Sequence, residues 1–111
     1  MVRAYITALD SHDIPKARAL LTPAHAQDVD REVDSWFTNV VSIKHLRTNR
    51  PYNDVFDARQ RHYRSCVGLG VRFDLEQHEA LSMPNGTTTW GYILCRNSSS
   101  KPWRIADEGT G

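Results

Sequence analysis

The strongest constraint on this chain is Asn85-Gly86 followed by Thr87-Thr88-Thr89-Trp90-Gly91-Tyr92-Ile93-Leu94-Cys95-Arg96. Asn-Gly supplies the two left-handed residues of a tight hairpin turn. The Thr, aromatic and β-branched run after it fits a pleated, half-buried surface. Trp90, Tyr92 and Leu94 alternate with Gly91, Ile93 and Cys95, so both faces of the strand are apolar. That pattern belongs to a central strand covered on both sides.

The segment before the turn has the same period. Val67, Leu69, Val71, Phe73 and Leu75 share one face, and Gly68, Gly70, Arg72, Asp74 and Glu76 the other. The two glycines suggest a bulge or a sharp bend, and the strand can run on to Leu81. Val40 to Leu46 reads as an earlier strand, and Trp103, Ile105 and Asp107 share one face of a last one. Thr48 to Arg61 is polar and reads as a long loop or weak extension. Gly109-Thr110-Gly111 reads as a frayed tail.

The N-terminal third has helical spacing instead. Val2, Tyr5, Ile6 and Leu9 form one apolar stripe. Asp13 is a good N-cap for a second helix, with Ile14, Ala17, Leu20 and Leu21 on its buried face. Thr22-Pro23 has the form of a cap and first helical position. Val29, Val33, Trp36 and Phe37 continue the spacing and predict a third helix over about Asp28 to Trp36. Helices followed by strands argue an α+β fold: N-terminal helices packed on a curved antiparallel sheet of about four strands, cone-like, in a single domain over residues 1–111.

The 111 residues, 40% of them hydrophobic, suffice for one core. A formal charge of +1 provides no global field toward nucleic acid, and no apolar run approaches a membrane span. Met1-Val2-Arg3-Ala4 leads directly into the amphipathic pattern. The expected location is therefore cytoplasmic, or extracytoplasmic or membrane-anchored if a leader is removed. With a two-residue turn at Asn85-Gly86, Cys95 faces the region of Glu76, roughly ten residues along the strand from Cys66, beyond disulfide reach. Two free, half-buried thiols are expected.

The pattern Val2-x-x-Tyr5-x-x-x-Leu9, then Asp13-Ile14-x-x-Ala17-x-x-Leu20-Leu21-Thr22-Pro23, then a curved sheet, resembles the nuclear-transport-factor-2-like superfamily. Trp90-Gly91-Tyr92 with Pro102-Trp103-Arg104-Ile105 and Asp107-Glu108-Gly109 is similar to uncharacterised actinobacterial members, found as lipoproteins or anchored outer domains. The resemblance implies a cone with an interior pocket, used by some members for isomerase or cyclase chemistry and by others for binding, dimerisation or assembly. It also implies that the open sheet face, around Ile93 and Cys95, pairs with a second copy.

The expected function is a non-enzymatic binding or assembly module. A pocket lined by Tyr5, Trp36, Trp90 and Tyr92 would take a small apolar ligand, and a homodimer or protein partner would use the open sheet face. The alternative is a small-molecule enzyme of the polyketide cyclase or ketosteroid isomerase type. It needs a carboxylate base and a hydroxyl donor aimed at one substrate atom, and Asp107 and Tyr92 are the candidates, with His45 on the first strand as a further polar group. The bland reading is a core tyrosine and a solvated strand end. No cofactor is expected. His12, His25, His45, His62 and His78 lack metal-ligand spacing and read as surface residues. Lys44, Arg47, Arg50, Arg59, Arg61 and Arg64 form either one positive patch or a solvated sheet edge.

Overall fold

The computed structural model describes residues 1–32, 35–81 and 83–109. The fold is α+β: N-terminal helices lie on an antiparallel sheet that does not close on itself. Helices α1 (Val2–Asp10), α2 (Ile14–Ala19) and α3 (Pro23–Arg31) come first, followed by strand β1 (Val40–Thr48). Strand β2 (Tyr52–Asn53) and helix α4 (Val55–Gln60) precede the long strands β3 (Ser65–Gln77) and β4 (Gly86–Arg96), and β5 (Arg104–Gly109) ends the sheet. The order across it is β1-β3-β4-β5, and β2 pairs with β3 beyond the end of β1.

The helix boundaries follow their caps. Asp13 accepts a hydrogen bond from the Lys16 backbone N–H and opens α2, and Thr22 accepts one from His25 N–H and opens α3, with Pro23 in its first turn. Helix α3 ends at Arg31, because Glu32 is extended, so the spacing that suggested a helix to Trp36 overran. Trp36 instead lies in a turn where Ser35 Oγ accepts from Phe37 N–H, and Val33 lies outside the described residues. Val2, Tyr5, Ile6 and Leu9 are buried as expected, against Val71, Phe73, Leu75, Tyr92, Leu94 and Ile105 of the sheet.

Thr48 to Arg61 is not a loop. Tyr52 and Asn53 pair with β3, and Asp54 caps α4 by accepting from Asp57 N–H. Ala58 of α4 packs on Cys66, Cys95 and Ala106, so this short helix covers one end of the sheet face opposite α1 to α3. Cys95 is consequently 1% exposed and does not belong to an open face.

The connection between β3 and β4 also departs from expectation. Leu75 pairs with Gly86, so the chain leaves the ladder by Gln77 and no two-residue turn forms. Asn39 causes the departure: its side chain accepts from Glu79 N–H at 3.0 Å and donates to Glu79 O at 2.8 Å. Asn85 Oδ1 accepts from Gln77 N–H at 3.0 Å, and only Gly86 of the Asn-Gly pair takes positive φ, at +112°. Strand β3 therefore stops short of Leu81.

The shifted register reverses the cysteine reading. Cys66 lies directly opposite Cys95, with Cα atoms 4.2 Å apart, and the two form a disulfide. Opposed residues of an antiparallel pair come this close where they do not exchange backbone hydrogen bonds. Gly68 and Gly70 cause no bulge, since β3 and β4 pair without interruption from Ser65–Arg96 to Leu75–Gly86. The irregularities lie elsewhere: in β1 between Val40 and Ser42 and between Lys44 and Arg47, where His45 has φ +57°, and in β5 opposite Ile93 and Leu94.

The disulfide closes a sequence separation of 29 residues. Replacing Cys66 and Cys95 together by Ala is expected to lower unfolding stability by about 3 kcal/mol. Urea denaturation with and without reductant measures this, and reductant should reproduce the loss in the native protein only.

Candidate functional site

The irregularity in β5 decides which acidic residue faces which side. Ile105 pairs with Leu94 and Asp107 with Ile93, leaving Ala106 as an extra residue. Ile105 packs in the core under the helices, whereas Ala106 packs on the Cys66–Cys95 side. Past the bulge, Asp107 shares that second side, and Glu108 turns back toward the helices. Asp107 and Tyr92 thus lie on opposite faces and cannot aim at one substrate atom. Asp107 is half-exposed and accepts from Arg61 Nη2 at 2.7 Å, which ties α4 to β5.

Glu108 is the carboxylate of the interior. Its side chain is 4% exposed, and its Oε2 lies 2.6 Å from His25 Nε2. Trp90 Nε1 donates to its other oxygen at 3.3 Å. His25 is held here because the α2–α3 junction is stitched to β5: Thr22 N–H donates to Ile105 O, and Ile105 N–H donates to Leu20 O. The expectation of a surface His25 therefore fails, since it is 5% exposed. Burial works against its charged form, but the hydrogen bond and negative charge of Glu108, with Asp107 and Asp28 behind, outweigh it and raise the His25 pKa.

The four residues expected to line a pocket do assemble: Tyr5, Trp36 and Tyr92 are buried in the core and Trp90 partly so, while Trp90 and Tyr92 also border the open cleft described below. Tyr5 and Tyr92 meet edge-to-face at 6.0 Å, and Trp36 stacks at a tilt on Trp90 at 5.2 Å. The Tyr92 hydroxyl is buried without a hydrogen-bond partner, whereas the buried Tyr5 hydroxyl lies beside the Glu108 carboxylate, at the limit of hydrogen-bond geometry. Burial, then the charges of Glu108 and Glu32, push the Tyr5 hydroxyl pKa well above its ordinary range. Burial foremost does the same to Tyr92.

An open cleft of about 470 Å³ lies on the other side of the sheet. Its floor is a row of glycines: Gly70 of β3 pairs with Gly91 of β4, which pairs with Gly109 of β5. Asn49, Tyr52 and Asp107 stand around it. Gly68 explains the placement of Tyr52, because a Cβ there would lie 2.2 Å from the Tyr52 ring. Gly68 and Gly70, which suggest a bulge or bend in the sequence, instead face this cleft side within an unbroken strand. The alignment of Gly70, Gly91 and Gly109 across three strands becomes visible only with the true register.

The basic stretch does not form one patch. Lys44 reaches Asp10 at 2.8 Å, and Arg61 is held by Asp57 and Asp107. Arg47 instead faces Arg72 across the β1–β3 pair. His45 lies beside them and binds Asp74 at 2.7 Å, far from Tyr92. Among the described residues, no group of three or more His, Cys, Asp or Glu converges as a metal site, and no described helix is long and apolar enough to cross a membrane.

These features define an α+β protein with a sealed polar core and an open glycine-floored cleft. Residues 1–109 match the family described as Domain of unknown function (DUF4829), and the chain belongs to that family. No curated protein and no solved structure matches it.

A raised His25 pKa stabilises the fold fully below the ordinary histidine value near 6.5, and the contribution fades as pH rises through the folded-state value. Stability should therefore fall on raising pH above 6.5, and Glu108→Gln should flatten that fall, both read by urea denaturation across pH. Tyr92→Phe removes a hydroxyl that burial leaves unpaired. It should raise stability by about 1 kcal/mol at neutral pH, measured by thermal unfolding.

Proposed function

We propose that this chain is a non-enzymatic ligand-binding module of the cone-type, nuclear-transport-factor-2-like architecture, working in an oxidising compartment outside the cytoplasm. The glycine-floored cleft carries the reading. A side-chain-free floor within strands otherwise weakens them, and it is the usual mark of a place where another molecule approaches the backbone closely. Two observations support the choice of a small ligand over a second copy. The face is not flat, since α4 covers the sheet at the Cys66–Cys95 end and Tyr52 stands over Gly68. The protein already seats one aromatic ring on Gly68 of this face; the Asn49 side chain borders the space over Gly70, and the space over Gly109 is open to a ring from outside. The acid–base groups His25, Glu108, Tyr5 and Tyr92 are buried beneath the opposite face, where they serve packing. The Cys66–Cys95 bridge supports this choice of compartment, since disulfides persist where the surroundings are oxidising.

The test uses 3-phenylpropionamide, an uncharged ring probe, followed through the backbone amide signals in solution. Saturable shifts are expected at Gly70, Gly91 and Gly109. A Cβ at Gly109 would meet nothing within 4 Å, so Gly109→Leu should fill the cleft without disturbing the sheet. That variant should weaken binding at least about tenfold, the loss of roughly 1.4 kcal/mol of contact. No shift at millimolar probe, or shifts confined to the Tyr5–Glu108 side, would overturn the proposal.

A further inference from the structure

Beyond the glycine floor, the same sheet face carries two arginines that nothing in the fold requires. Arg47 and Arg72 are direct cross-strand partners, and both are exposed. Like charges placed so are unfavourable for the sheet. The irregularity in β1 creates the juxtaposition: the extra residue at His45, with φ +57°, lets Leu46 turn inward and brings Arg47 level with Arg72. Neither guanidinium makes an ion pair among the described residues. The one nearby carboxylate, Asp74, is taken up by His45 Nδ1 at 2.7 Å and by Thr87 Oγ1 at 3.1 Å.

These side chains surround a recess of about 310 Å³, lined by His45, Arg47, Arg72, Asp74 and Thr87. Two guanidiniums against one carboxylate leave it a net charge of +1 with His45 neutral. It adjoins the glycine floor. Arg72 lies two residues from Gly70 on the same face of β3, about 7 Å along the strand. Thr89, which pairs with Arg72, borders the larger cleft. The two hollows are thus neighbours on one face, the larger with its one exposed carboxylate, Asp107, held by Arg61, and the smaller cationic.

We propose that Arg47 and Arg72 form an oxyanion subsite, and that the ligand of this module is a planar ring carrying a carboxylate or phosphate on a short arm. The inference rests on the ring site proposed above and specifies its ligand class. Guanidiniums present paired N–H donors that match the oxygens of such a group, and an anion between the two arginines relieves their mutual repulsion.

The test compares 3-phenylpropionate with 3-phenylpropionamide, which differ in charge alone at this end, and adds inorganic phosphate as the second oxyanion source. The native protein should bind the acid about tenfold tighter than the amide, the size expected of one charge-assisted contact. The preference should shrink with added sodium chloride. Arg47→Gln and Arg72→Gln should each abolish it while leaving amide affinity unchanged, and each should raise the thermal unfolding midpoint by removing the repulsion. Loss of the acid preference on adding inorganic phosphate, as competition, would assign phosphate as well as carboxylate to the subsite, and lack of competition would restrict it to carboxylate. Equal binding of acid and amide, or an acid preference that survives both substitutions, would overturn the subsite and leave the ring site standing. Failure of both probes to bind would overturn both.

Discussion

The register of β3 against β4 is the constraint from which the rest of this molecule follows. These strands pair without interruption from Ser65–Arg96 to Leu75–Gly86. That alignment sets Cys66 on Cys95, Gly70 on Gly91, and Leu69 beside Tyr92. A slip of one residue would turn Val71, Phe73 and Leu75 away from the helices, because side chains alternate between faces. The pairing is held by the disulfide at one end and by the Asn39 and Asn85 side chains at the other. Between them, the helical layer presses Tyr5 and Leu9 onto one side of the ladder.

On that frame, irregular strands sort charge between the two faces. In β5, one extra residue at Ala106 sends Asp107 out to Arg61 and Glu108 in to His25. In β1, one extra residue at His45 sets Arg47 against Arg72. Neither change disturbs the apolar layer, since Ile43 and Ile105 stay buried on the helix side. The sheet can thereby keep a closed, hydrogen-bonded acid–base pair beneath it and an unpaired cationic pair above it.

Much of this architecture was legible in the sequence because it rests on period alone. The spacing of Val2, Tyr5, Ile6 and Leu9, the caps at Asp13 and Thr22, and the alternation from Val67 to Leu75 are local signals, and each element formed where they indicated. What escaped depends on distant contacts. Asn39 overrides the turn preference of Asn85-Gly86 from across the sheet, and with the turn went the cysteine pairing. Asp54 and Ala58 do carry a cap and a helical spacing, but α4 is only 6 residues long and was hidden in a polar stretch. A bulge leaves no mark on composition, so the choice of Asp107 over Glu108 as the inward carboxylate was wrong for a reason invisible in one strand. The glycine row could have been suspected from the Gly68-x-Gly70 and Gly91 pattern, but its alignment needs the register.

The covalent link between β3 and β4 also changes what a broken backbone would mean. Residues 78–81 and 83–85, between the two strands, lie at the far end of the ladder from Cys66 and Cys95 and are mostly exposed. Exposed connections of this kind are where proteases cut first. A cut there would yield two pieces still tethered through sulfur and still aligned rung for rung. The nicked protein would migrate as one species until reduced, and the hollow on its outer face would survive the cleavage.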